Sequence, residues 1–274
     1  MSADMEGITG VVDAEDVQPP GRDYERARVL MTEDVNAAVR GAYAAGATEV
    51  LVNDAHGPMR NLLPDLLDPR ARLIKGRPKP MGMMEGLTPE YDAALCVGYH
   101  ARAGELGVLS HSFMGHEIED MWLDGRPTGE IGLTHATAAA LGVPVVALSG
   151  DDAACAEMAA WDPAVTTVAV KQARDRFAAE LRPVAEAREA IEQSVAAAIR
   201  ASAGAARPAA DELARTLTIR WQSATAASQL AGIPGVKLTD SRTTEASGAM
   251  PDLFRLLGVF MRCAVALNGQ GPYC

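Results

Sequence analysis

Between Asp23 and Ala45, apolar residues recur at Ala27, Leu30, Met31, Val35, Ala38, Val39, Ala42 and Tyr43, and Gly46 follows. That spacing is one face of a helix at a 3.6-residue period, with a glycine stop. Short, nearly continuous apolar runs come next: EVLVND (49–54), ARLIKG (71–76), YDAALCVGYH (91–100), VPVVALSGDD (143–152) and VTTVAVK (165–171). Such runs, alternating with helical stretches, predict strands of a mostly parallel sheet buried on both faces. MWLDGRPTG (121–129) predicts a hairpin around Asp124–Gly125, and EIGLTHATAAALG (130–142) a helix ending at Gly142. A helix after residue 152 would be capped by Asp151 or Asp152. Further on, the Ala- and Glu-rich residues 178–206 predict one long helix, with ASAGAARPA (201–209) as a connector. TLTIRWQS (216–223) alternates as a strand, and MPDLFRLLGVFMRCAVAL (250–267) is an amphipathic last helix. The expected fold class is α/β, a mostly parallel sheet flanked by helices with a smaller C-terminal α/β subdomain. Residues 1–165 would form the first region and 166–274 the second.

Composition narrows this picture. The chain has 274 residues, 48% hydrophobic and 22% charged, enough for a sizeable core. Only 4% are aromatic while Ala and Gly abound, so closely packed helices on a sheet are expected. A net charge of −11, spread along the chain, argues against a nucleic-acid or anionic-membrane partner. Cys96, Cys155, Cys263 and Cys274 share no metal-like spacing and no CxxC occurs, so a reducing cytoplasm is the expected location. The opening residues resemble no targeting segment, and the longest apolar stretch, ATAAALGVPVVALSG, is too short to span a bilayer.

The chemistry begins at SADMEG, where Asp4 and Glu6 stand two apart. In a strand both would face one side, which is costly for like charges unless a cation lies between them. Three strands end in metal-capable residues: Asp4 and Glu6 after the first, Asn53, Asp54 and His56 in LVNDAH, and His100 in LCVGYH. Ligands of such sheets sit outside the carboxyl ends of the strands. Carboxylates with imidazoles and no thiolate suit Zn, Mn or Co, and about five such ligands suffice for a two-metal hydrolytic site. Each histidine also reads as an ordinary buried polar residue. Of His111 and His116, five apart, at most one would point at the site if the segment were helical. Glu130, at a predicted helix start, is either a charge favoured by the helix dipole or a further ligand. No P-loop, dinucleotide fingerprint, G-x-S-x-G elbow or HExxH occurs, which leaves nucleotide enzymes and serine hydrolases unsupported.

DMEGITG, NDAHG, PKPMGMMEGL, VGYHARAG, LSHSF, GRPTGEIGL and GVPVVALSGDD occur in this order. With them the chain resembles the DppA-type D-aminopeptidases, the M55 metallopeptidase family, from residue 2 to about residue 176. The resemblance implies a binuclear zinc site, two Zn²⁺ per subunit with Mn²⁺ or Co²⁺ as substitutes. Its ligands fall on Asp4, Glu6, His56, His100 and Glu130, and a catalytic histidine falls on His111. His116 and His135 match no functional position. The implied reaction is metal-assisted hydrolysis of short peptides with an N-terminal D-residue. A metal-activated water attacks the carbonyl, and His111 serves as general acid, general base or hydrogen-bond donor. A homo-oligomer, a decamer of two pentameric rings around a chamber, is expected by the same resemblance. The chain departs from the family in having only Met1, Ser2 and Ala3 before Asp4, so either the first strand is short or the true start lies upstream. Asp124 stands where Asn is common, His135 where Asn often stands, and residues 185–210 depart most. The alternatives are a dimetal amidohydrolase of another substrate class and a non-catalytic, metal-stabilised peptide-binding protein.

Overall fold

The apolar runs become the strands of two sheets, and the 3.6-period stretches become the helices that cover them. The computed structural model describes residues 1–204, 209–211 and 213–268. In chain order the elements are β1 (Ser2–Ala3), α1 (Ala14–Val17), α2 (Tyr24–Ala44), β2 (Val50–Asp54), β3 (Ala71–Ile74) and β4 (Ala94–Tyr99). The hairpin β5 (Ile118–Leu123) and β6 (Arg126–Pro127) follows, then α3 (Glu130–Ala140), β7 (Val145–Asp151), α4 (Asp152–Trp161) and β8 (Thr166–Asp175). The last elements are β9 (Ala178–Leu181), α5 (Val184–Ser202), β10 (Arg215–Trp221), α6 (Ala224–Leu230), β11 (Val236–Asp240), β12 (Thr243–Gly248) and α7 (Met250–Asn268).

Sheet A runs β3-β2-β1-β4-β7-β8-β9, parallel except for the last pair. The chain winds outward in both directions from β1, so a crevice is expected where β1 and β4 part at their carboxyl ends. β4 and β7 are buried along their whole lengths, as their unbroken apolar character requires. β1 is only two residues long, in register with Asn53 and Asp54 of β2 and with Cys96 and Val97 of β4. Asp4 and Glu6 therefore lie in the turn beyond β1 rather than on one face of a strand.

The apolar stripe of α2 is buried at Ala27, Met31, Val35, Ala38, Val39 and Ala42 and packs with α5 over one face of sheet A. A Cβ on Gly41 would lie 2.3 Å from the carbonyl oxygen of Glu192, so glycine is what lets the two helices approach this closely. On the other face lie α3, α4 and sheet B, antiparallel in the order β11-β12-β10-β5-β6. Its core joins Met121, Ile219 and Trp221 to Leu257 and Phe260 of α7. The predicted hairpin turn is present, with Asp124 (φ 51°) and Gly125 (φ 78°) both left-handed, as a two-residue turn between strands requires. Asp151 caps α4 by accepting from the backbone N–H of Ala154 at 2.8 Å.

One expectation needs correction. Residues 178–181 are not the start of the long helix: they form β9, paired antiparallel to β8, and the helix begins at Val184. The strands β11 and β12 were not foreseen. Sheet A continues past residue 165 through β8 and β9, while sheet B takes β5 and β6 from before it. The connector expected over 201–209 lies partly, and Cys274 wholly, outside the described residues. No helix among the described residues is long and apolar enough to cross a membrane.

Candidate metal centre

Four stretches of chain meet where β1, β2 and β4 end. Asp4 and Glu6 sit in the turn after β1, His56 two residues past β2, His100 at the end of β4, and Glu130 on the first turn of α3. All five are buried. Gly7 makes the turn possible, since a Cβ there would lie 2.0 Å from the carbonyl oxygen of Tyr99. Its N–H donates to Gly98 O at 2.8 Å, and Asp4 N–H donates to Val97 O at 2.8 Å.

Asp4 faces two histidines with different oxygens. Its Oδ1 is 3.3 Å from His56 Nδ1, and its Oδ2 is 3.5 Å from His100 Nε2. Glu6 Oε2 lies 3.0 Å from His56 Nδ1, and Glu130 Oε1 lies 3.4 Å from His100 Nε2. Three overlapping groups result, each with donor atoms within 4.8 Å of one another: Asp4–Glu6–His56, Asp4–His100–Glu130 and Glu6–His100–His111. The backbone fixes the imidazoles from behind. His56 Nε2 meets Val17 O at 2.8 Å and His100 Nδ1 meets Ala101 O at 2.9 Å. A carbonyl only accepts, so these outer nitrogens carry protons, and Nδ1 of His56 and Nε2 of His100 are the nitrogens that face the centre, where a cation could displace a proton.

The donors fit a metal. Asp4 Oδ2, Glu6 Oε2 and His100 Nε2 are buried with no hydrogen-bond partner, a costly state that a cation among them would relieve. The electrostatics agree. Burial, then the charge of Glu6, pushes Asp4 up to about 7. Burial opposes charge on Glu6 as well, yet His56 holds it well below the usual carboxylate range. Burial likewise works against charged His56 and His100, but Glu6 and Glu130 hold each well above its ordinary value. Without a metal, protons stand between these groups; a divalent cation would take their place.

His111 lies at the rim. Its Nε2 is 3.9 Å from both Glu6 Oε1 and Glu130 Oε1, and its ring stacks on His100 at 4.2 Å. Its Nδ1 meets Leu109 O at 2.8 Å. Burial, then the neighbouring His100, lowers its basicity. Leu109 (φ 53°) and Phe113 (φ 56°) on either side are left-handed without being glycine, so this loop is held in a strained shape. Phe113 N–H donates to Glu130 Oε1 at 2.6 Å, which ties the loop to the centre.

The remaining candidates lie elsewhere. Asn53 accepts from Lys79 Nζ at 2.6 Å, and Asp54 accepts from the N–H groups of Asn61 and Leu62 at 2.6 and 2.7 Å, so both shape the loop behind His56. His116 is exposed, and His135 pairs with Asp162 at 3.2 Å. Cys96 is buried, its thiol pushed up to about 12 by burial. A cavity of 790 Å³ opens beside Glu49, Arg72 and Tyr91, and none of the five donors lines it. Sequence reasoning missed Lys171, whose fully buried ammonium lies under the Asp4–Glu6 turn.

The comparisons extend beyond the site. The Peptidase M55, D-aminopeptidase family matches residues 1–259, further than the motifs alone reached. A D-aminopeptidase of Bacillus subtilis (strain 168) is 43% identical over 199 residues, covering 73% of this chain and 72% of that protein. The solved structure of the Zn-dependent D-aminopeptidase DppA from Bacillus subtilis, described as a self-compartmentalizing protease, superposes with a TM-score of 0.93. It is 34% identical and covers 100% of this chain and 98% of that one. With this match along its length, the chain belongs to the M55 D-aminopeptidase family and is a metallopeptidase.

Proposed function

We propose that the centre holds two zinc ions and that the protein removes N-terminal D-residues, such as D-Ala, from short peptides. The observation that carries this reading is Asp4, whose two oxygens each face a different histidine-containing group. In this reading Asp4, Glu6 and His56 would hold one ion and Asp4, His100 and Glu130 the other. Mn²⁺ or Co²⁺ would satisfy the same nitrogen and oxygen donors. Bound zinc supplies Lewis acidity toward the scissile carbonyl and brings water to deprotonation near neutral pH.

The rest falls to the chain's own residues. His111 donates from Nδ1 to Leu109 O and so presents a lone pair at Nε2. Its lowered basicity keeps it neutral at pH 7, ready to take a proton from the attacking water and pass it to the leaving amine. Burial of the five donors keeps bulk water from competing for them. Residues 1–165 are the catalytic region in this reading, and 166–274 the C-terminal α/β part. The solved relative is self-compartmentalizing, which supports a homo-oligomer here, a decamer by family resemblance, working in the cytoplasm.

The test is a paired assay on metal-analysed protein with D-Ala-p-nitroanilide and L-Ala-p-nitroanilide, with and without chelator. About two zinc ions per chain and chelator-sensitive turnover of the D-substrate alone are expected. Turnover of neither, with metal present, would discard the peptidase specificity, and absence of metal would discard the centre.

A further inference from the structure

Lys171 lies near the middle of β8, yet its side chain is 1% exposed and reaches across to the first turn of the chain. Its Nζ donates to three carbonyl oxygens of one loop: Glu6 O at 2.6 Å, Ile8 O at 2.9 Å and Val11 O at 2.6 Å. These use all three donors of an ammonium. The three carbonyls converge as they would around a bound monovalent cation, and without a donor each would be buried at a cost.

The loop they belong to carries two of the proposed metal ligands and has little other regular support. β1 ends at Ala3, so the ladder of sheet A does not fix Glu6. Beyond the two bonds to β4, the loop is held by Thr9 N–H donating to Asp34 at 2.9 Å and by its own turns. Curling the backbone around one ammonium turns the Glu6 side chain back over Asp4, where both meet His56.

We propose that Lys171 is a positioning residue for the metal centre, a resident cation that shapes the Glu6–Val11 loop so that Asp4 and Glu6 share one space. This rests on the two-zinc reading above. It concerns backbone shape rather than the charge state of any ligand.

The test compares wild type with Lys171→Met and Lys171→Ala. The readouts are circular dichroism for the fold, zinc affinity by competition with a chromophoric chelator, and the visible spectrum of the cobalt-loaded proteins. Folded variants with zinc affinity weakened about 10–100-fold and an altered cobalt spectrum are expected. In Lys171→Ala, ammonium chloride should restore part of the affinity where sodium chloride at equal ionic strength does not. Folded variants with wild-type affinity and spectrum would overturn the role of Lys171 while leaving the centre standing. If neither variant folds, with or without zinc, the lysine serves the whole fold and the proposal fails. Wild type that takes up no zinc would overturn the centre itself.

Discussion

In the proposed mechanism, His111 is the residue that separates metal binding from turnover most cleanly. It stands 3.9 Å from two carboxylates but completes neither of the two groups joined through Asp4. His111→Ala should lower kcat by about 10²–10⁴-fold, the range of a general acid–base. Metal content, read by elemental analysis, should stay at the wild-type value. Unchanged turnover would remove His111 from the mechanism. At this scale the convergence was legible, because Asp4, Glu6, His56 and His100 sit in short motifs tied to strand ends that the fold brings together. Glu130 was open between a helix charge and a ligand. It occupies the first position of α3 and also faces His100, so the two readings were never exclusive. Lys171 was illegible for a physical reason. It ends an ordinary apolar run, and its partners are carbonyls more than 150 positions away, which no local spacing reveals.

The elements were read best where pattern and packing agree. α2 showed its sheet-facing side because Ala27, Met31, Val35, Ala38, Val39 and Ala42 recur at the helical period and are buried, although Ala37 and Asn36 off that stripe are buried as well. The segment 178–181 was misread because Ala and Glu favour helix locally, whereas pairing with β8 decides the outcome in the folded chain. The close approach of α2 to α5 at Gly41 was also beyond the sequence, since it needs the partner backbone. Gly41→Ala should push the helices apart and cost about 1–3 kcal/mol, the usual penalty of overpacking. Urea unfolding should show this as a lower midpoint. Zinc content and turnover per zinc should hold, because this helix pair contributes no donor to the centre. A loss of zinc in the folded variant would mean that the covering helices hold the site as well.

For the whole molecule, the centre joins positions 4, 56, 100 and 130, segments remote in sequence and carried by different elements. A metal that binds only this assembled geometry stabilises the native state by mass action, about 2.7 kcal/mol when free metal is 100 times its dissociation constant. Chelation should therefore lower the thermal midpoint, and added zinc should raise it in proportion to the logarithm of its concentration. A midpoint indifferent to zinc would mean that the ions contribute nothing to holding the fold. The reach of Lys171 back to Glu6 O also bears on how the protein is made. On the ribosome, the first two carboxylates emerge long before the side chain that shapes their turn. At about 5–20 residues per second, many seconds separate the two events. If Lys171 shapes the turn as proposed, the finished geometry arises only after β8 has left the exit tunnel, metal loading would be a late step of biosynthesis, and a shorter nascent chain would not capture zinc in its final arrangement.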